Sequence, residues 1–85
     1  MIILYSPNFE KHYANIPIKI KQKFSESLNI FSKDQFNPLL KNHALKGRMF
    51  GYRSISLTGN YRVIYRYISD DILKLVDVGT HNQVY

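Results

Sequence analysis

RSISLTGNYRVIYRYISDDILKLVDVGTHNQVY, residues 53–85, is the stretch whose reading decides the fold. Ser54-Ile55-Ser56-Leu57 alternates polar and apolar residues, the period of a strand with one wet face. Thr58-Gly59-Asn60 is turn chemistry, because Gly and Asn accept positive φ at little cost. Alternation returns from Tyr61 to Tyr67. Tyr61, Val63, Tyr65 and Tyr67 share one face, and Arg62, Ile64 and Arg66 share the other. Asp70-Asp71 breaks the run and Ile72 to Val78 resumes it. The pattern predicts a three-stranded antiparallel meander carrying two arginines on one face. The tail Gly79-Thr80-His81-Asn82-Gln83-Val84-Tyr85 then brings a histidine and a terminal tyrosine beside the sheet.

Upstream, Ile2-Ile3-Leu4-Tyr5 is short and β-prone, which predicts a first strand. Ser6-Pro7 supplies a helix N-cap followed by proline at the first helical position, where a missing N–H costs nothing. Phe9, Tyr13 and Ile16 fall on one side of a short helix. Pro17 restarts the count. From Ile18 to about Ser32 the apolar residues Ile20, Phe24, Leu28 and Phe31 form one helical stripe, predicted to pack on Ile55, Leu57, Val63 and Tyr65. Residues 33–52 read as a long ordered loop with a turn of helix near Pro38–Lys41, anchored by Leu39, Leu40 and Leu45. It carries Lys41, His43, Lys46 and Arg48 within eight residues. A connection this long and basic is unusual in a small domain unless it acts on something. The expected architecture is a single α+β domain over residues 1–85. Its order is β-α-α-β-β-β, with two N-terminal helices on one sheet face and a concave, basic face opposite.

Eighty-five residues suffice for one modest core. The absence of cysteine excludes disulfides and thiolate metal sites. No run approaches the ~20 apolar residues that span a bilayer, and the opening MIILYS lacks the basic region of a signal peptide. A cytoplasmic location is therefore expected. Twelve Lys+Arg against six Asp+Glu give a net charge of +6. That excess favours a polyanion or an acidic protein partner. Seven tyrosines and five phenylalanines add surfaces on which bases could stack, although most such rings fill cores.

Cutting RNA without a metal requires three things: help in deprotonating the ribose 2′-OH, neutralisation of phosphate charge, and a proton for the leaving 5′-oxygen. His43, His81, Arg62, Arg66, Lys46, Arg48 and Tyr85 make up such an inventory. Taken singly they prove little. A lone histidine in a small protein is more often surface or packing, and Arg62 and Arg66 could form a solvated face paired with Asp77 across the sheet. The two histidines lack metal-ligand spacing and a third ligand. No phosphate-binding loop, nucleotide fingerprint or Ser/Cys nucleophile signature is present.

Four segments occur in order: Asn42-His43-Ala44-Leu45-Lys46-Gly47, Gly51-Tyr52-Arg53-Ser54-Ile55, Tyr61-Arg62-Val63-Ile64-Tyr65, and Val78-Gly79-Thr80-His81-Asn82-Gln83-Val84-Tyr85. Together with the two N-terminal helices they closely resemble the RelE/ParE superfamily of bacterial toxins, and within it the YafQ-like mRNA interferases. The resemblance covers the whole chain. It implies a metal-independent endoribonuclease without cofactors, cutting mRNA in the ribosomal A site and neutralised by a cognate acidic antitoxin. ParE-like members share the scaffold, lack the catalytic set and act on DNA gyrase, which is the alternative.

The resemblance also implies roles for single residues. His43 matches the loop histidine and His81 the histidine of the Gly-Ser/Thr-His segment, the family's acid/base candidates. Tyr85 holds the C-terminal aromatic position, and Arg62 matches the strand arginine aimed at the scissile phosphate. Lys46, Arg48, Arg53 and Arg66 are the expected RNA-binding residues. Three positions depart from the pattern: Ser56 stands for a histidine, Asn60 for an aspartate and Asp77 for an arginine. The acid/base pair must then be His43 and His81, or the chemistry is slower and leans on Arg62.

Overall fold

The computed structural model describes residues 1–85, and its outline follows the sequence pattern. Strand β1 (Ile2–Tyr5) leads into helices α1 (Pro7–Tyr13) and α2 (Ile18–Lys33). After them come β2 (His43–Ala44), β3 (Arg53–Ser56), β4 (Tyr61–Ser69), β5 (Ile72–Thr80) and a short C-terminal helix α3 (His81–Val84). The sheet order is β1-β5-β4-β3-β2. The antiparallel meander β3-β4-β5 is thus the centre of a five-stranded mixed sheet, because β1 runs parallel to β5. That pairing needs a crossover, and the two helices are the crossover. Ser6 fixes the corner: its Oγ caps α1 by accepting from the Phe9 N–H and donates to the Val76 carbonyl of β5.

Both helices cover one face of the sheet. Phe9, Phe24, Phe31 and Leu40 pack with Ile55, Leu57, Val63, Tyr65, Leu73, Leu75 and Val78 in one buried cluster. The predicted stripe on α2 is therefore the core stripe, with Phe24 and Phe31 buried and Ile20 and Leu28 half-buried at its margins. Tyr65 meets Phe31 edge-on, ring centres 5.3 Å apart, an arrangement the ring quadrupoles favour.

Several local expectations need correction. Helix α1 ends at Tyr13, so Ile16 packs from the link after it. The long loop is interrupted by two 3₁₀ turns, Pro38–Leu40 and Gly47–Met49, and contributes the edge strand β2. Only Leu40 of its three leucines is buried; Leu39 stands in water and Leu45 is half-buried. Positive φ falls at Lys41, Gly47 and Gly51, not at Gly59 or Asn60. The β3–β4 turn is held instead by Thr58, whose Oγ1 accepts from the N–H groups of Asn60 and Tyr61. Finally, Val76 has no partner on β4, since the register passes from Ile64–Asp77 to Tyr65–Leu75. This bulge re-aims the end of β5.

Candidate functional site

Strand alternation sorts the meander residues between the two faces. Ile55, Val63 and Val78 are cross-strand partners on the helix-covered side. Ser54 and Ile64, and Ser56, Arg62 and Gly79, are partners on the opposite side. Helix α3 folds back over that second face. A Cβ on Gly79 would come within 2.8 Å of Gln83 Oε1 and 3.3 Å of Gln83 Cβ and Val84 Cγ1, so a larger residue would have to push the Gln83 side chain aside. Gln83 Oε1 in turn accepts from the Thr80 N–H, which fixes the start of the helix. Ile64, expected on an open face, is consequently fully buried.

This fold-back assembles the site. The Tyr85 hydroxyl donates to Ser54 Oγ, and the His81 and Tyr85 rings meet edge-on with centres 4.6 Å apart. His43 is the cross-strand partner of Ser54 on β2. A backbone pair, a hydrogen bond and a ring contact thus set His43, Ser54, Tyr85 and His81 in one line, although 38 residues separate the two histidines. His43 Nδ1 lies 3.0 Å from the Lys41 carbonyl. A carbonyl only accepts, so Nδ1 is the donor here, and Nε2 is left without a protein partner. Lys41 reaches this position in the left-handed region, φ 49°, a conformation uncommon outside glycine.

Arg62 lies beside the same line. Its Nη1 donates to the carbonyls of Thr58 and Tyr61, and its Nη2 to that of Gly59. Three turn carbonyls thus hold the guanidinium. Of five donors, the Nε–H and one Nη2–H remain free, enough for a phosphate. The His81 N–H joins the same turn through the Asn60 carbonyl. Arg66, exposed on this face, lies over the Tyr52 ring at 5.7 Å. Lys46 and Arg48 are exposed on the β2–β3 loop.

Arg53 is not brought to this face. It pairs across the sheet with Tyr65, on the helix-covered side, where its Nε donates to Asn42 Oδ1 and its guanidinium stacks over Phe36. The alternation of Ser54 and Ser56 with Ile55 already contained that placement. Asp77 does not meet Arg62 or Arg66 either. It stands opposite Ile64, and its Oδ1 accepts from His12 Nδ1 at 2.6 Å and from the Val78 N–H. His12 also lines a cleft of about 370 Å³ with Asn15, Ile16, Tyr61, Val78 and Gln83. His12 and Asp77 are 65 residues apart, and no local pattern announces their contact.

Two further residues gain roles from the structure. Ser54 orients Tyr85. Asn42 ties the long loop to the sheet: its Oδ1 accepts from Arg53 Nε and from the Tyr65 hydroxyl, and its Nδ2 donates to the Gln35 carbonyl. Burial pushes the Tyr65 phenol above its ordinary value of 10.0, against the opposing pull of Asn42 and Arg53. No cluster of three or more His, Asp or Glu side chains could hold a metal ion. No helix is long and apolar enough to cross a membrane.

Comparison with known proteins gives one family. Residues 1–85 match the family model described as the bacterial toxin of type II toxin–antitoxin systems, YafQ. The fold matches a YoeB/ParE toxin from Agrobacterium tumefaciens at TM-score 0.80 and 22% identity, covering 95% of this chain and 99% of that one. It matches YafQ from E. coli strain BL21(DE3) at TM-score 0.73 and 23% identity, covering 98% and 96%. A third match is the YoeB–YefM complex from Staphylococcus aureus, at TM-score 0.74 and 25% identity, covering 95% and 97%. No curated protein sequence matches the chain.

Proposed function

Because this chain belongs to the YafQ family of type II toxin–antitoxin toxins, we propose that it is a ribosome-dependent endoribonuclease that cuts mRNA in the A site. The observation that carries this reading is the line His43–Ser54–Tyr85–His81 beside a braced Arg62. His43 Nε2 takes the proton from the ribose 2′-OH, and the 2′-oxygen attacks phosphorus. The P–O5′ bond breaks, and His81 delivers the proton to the departing 5′-oxygen. The two free N–H groups of Arg62 face the non-bridging oxygens, where charge gathers in the transition state. Tyr85 stacks on the substrate nucleotide. The step leaves a 2′,3′-cyclic phosphate and a 5′-hydroxyl, and no metal or cofactor enters it. Lys46, Arg48 and Arg66 hold flanking phosphates or ribosomal RNA. Arg53 supports the loop that presents His43.

The cellular partner is an acidic antitoxin segment that orders itself across the basic face; ribosomes place the action in the cytoplasm. Neighbouring folds occur in toxin–antitoxin complexes, including one of E. coli DinJ with YafQ. The test is single-turnover cleavage on message-programmed ribosomes. Arg62→Ala and His81→Ala are each expected to lose ~100-fold or more in rate, with His43→Ala and Tyr85→Ala also impaired. Parental rates in all four variants would move the site elsewhere.

A further inference from the structure

Phe50 is the most exposed large apolar side chain of the protein, at 83%, and the core makes no use of it. The loop that holds it is ordered by its own hydrogen bonds. Met49 N–H donates to the Lys46 carbonyl, Phe50 N–H to that of Gly47, and Tyr52 N–H to that of Met49, while Leu45 N–H to the Tyr52 carbonyl closes the base. Gly47 and Gly51 make the corners at φ 64° and 94°. Met49 is half-buried and anchors the loop between them. A built loop therefore holds a phenylalanine ring in water, at a tip where a polar residue would cost less.

Charge around this ring is one-sided. Residues 35–69 hold six Lys or Arg and no Asp or Glu. Lys46 and Arg48, both exposed, precede Phe50 on the same loop. An aromatic plane beside cations is the way proteins hold single-stranded nucleic acid, since every base offers a π-face and every nucleotide a phosphate. We infer that Phe50 is a stacking platform for a base of single-stranded RNA, with Lys46 and Arg48 taking the adjoining phosphates. This rests on the RNA-cleaving reading of the concave face and extends its substrate path. The base is a flanking one. The loop leaves the sheet at the Ala44–Arg53 pair, whereas Arg62 and His81 sit at the other end of β3, roughly 10 Å away at ~3.3 Å per strand residue. An acidic peptide would use the charges but has no need of an aromatic plane.

The chain has no tryptophan, so Phe50→Trp supplies a lone indole at the tip, excited selectively to the red of the tyrosines. The experiment titrates a single-stranded oligoribonucleotide, at fixed low salt, into the antitoxin-free parent, Phe50→Trp, Phe50→Tyr and Phe50→Leu. Ribosomal cleavage and antitoxin affinity are measured alongside. Stacking predicts quenched Trp emission, parental RNA affinity in Phe50→Tyr, and roughly 5- to 150-fold weaker RNA binding in Phe50→Leu, with unchanged melting and antitoxin affinity. If the parent binds and cuts while Phe50→Leu matches it and Trp emission ignores RNA, the inference falls and the cleavage reading stands. If Phe50→Leu loses antitoxin and keeps RNA, the ring is a protein-docking residue and the inference is overturned. If the parent neither binds nor cuts RNA, both readings fall together.

Discussion

Replacing Asn42 by alanine removes three hydrogen bonds at once, and the structure says where the cost falls. Oδ1 accepts from Tyr65 Oη at 2.9 Å and from Arg53 Nε at 3.0 Å, and Nδ2 donates to the Gln35 carbonyl at 2.9 Å. Tyr65 is 1% exposed, so its orphaned hydroxyl carries a desolvation penalty of ~1–3 kcal/mol. Arg53 and Gln35 are half-buried, so water replaces part of what they lose and each adds about 0.5 kcal/mol. The sum, roughly 2–4 kcal/mol, corresponds to a fall in Tm on the order of 10–30 °C for a domain of this size. Asn42→Asp keeps the acceptor and should cost much less. Adding Tyr65→Phe to Asn42→Ala should recover part of the loss, because the unpaired hydroxyl is gone. Urea and thermal melts of the four proteins measure this. An Asn42→Ala protein as stable as the parent would refute the role assigned to this residue, and a double variant with no recovery would refute the mechanism.

Three other outcomes follow from the same geometry. Phe24→Ala, in the buried cluster, should lose ~3–5 kcal/mol in a denaturant melt. Tyr65 is an acid whose folded value lies above 10.0 because of burial; its contribution is whole below about pH 10 and is lost as pH rises beyond. Melts of Tyr65→Phe should therefore decline less steeply above pH 10 than those of the parent. Gly79→Ala forces a methyl against Gln83 and Val84, costing ~1–3 kcal/mol, and amide exchange should show α3 opening.

The meander and the α2 stripe were legible because each repeats a period over several residues, and periods are local. Strand β1 was also legible, but its parallel pairing with β5 was not, since nothing in Ile2–Tyr5 names a partner 70 residues away. Helix α3 has four residues, too few to show a stripe, yet it buries Ile64 and delivers Tyr85 to Ser54. The likeness of the tail to known toxins pointed to His81 and Tyr85 without showing how they meet. Arg62 was placed on the correct face by alternation, while its grip on the turn carbonyls depends on turn geometry that composition does not encode. Arg53 was assigned by charge where alternation put it on the core side. His12 and Asp77 meet only through the crossover.

The central claim is tested most directly by the ends of the RNA it makes. Purified toxin and ribosomes carrying a defined message in the A site should yield cleavage within that codon. The upstream fragment should end in a 2′,3′-cyclic phosphate, or the 3′-phosphate from its opening, and the downstream fragment in a 5′-hydroxyl. An uncut message together with blocked DNA supercoiling by gyrase would contradict the account, and so would fragments bearing a 5′-phosphate.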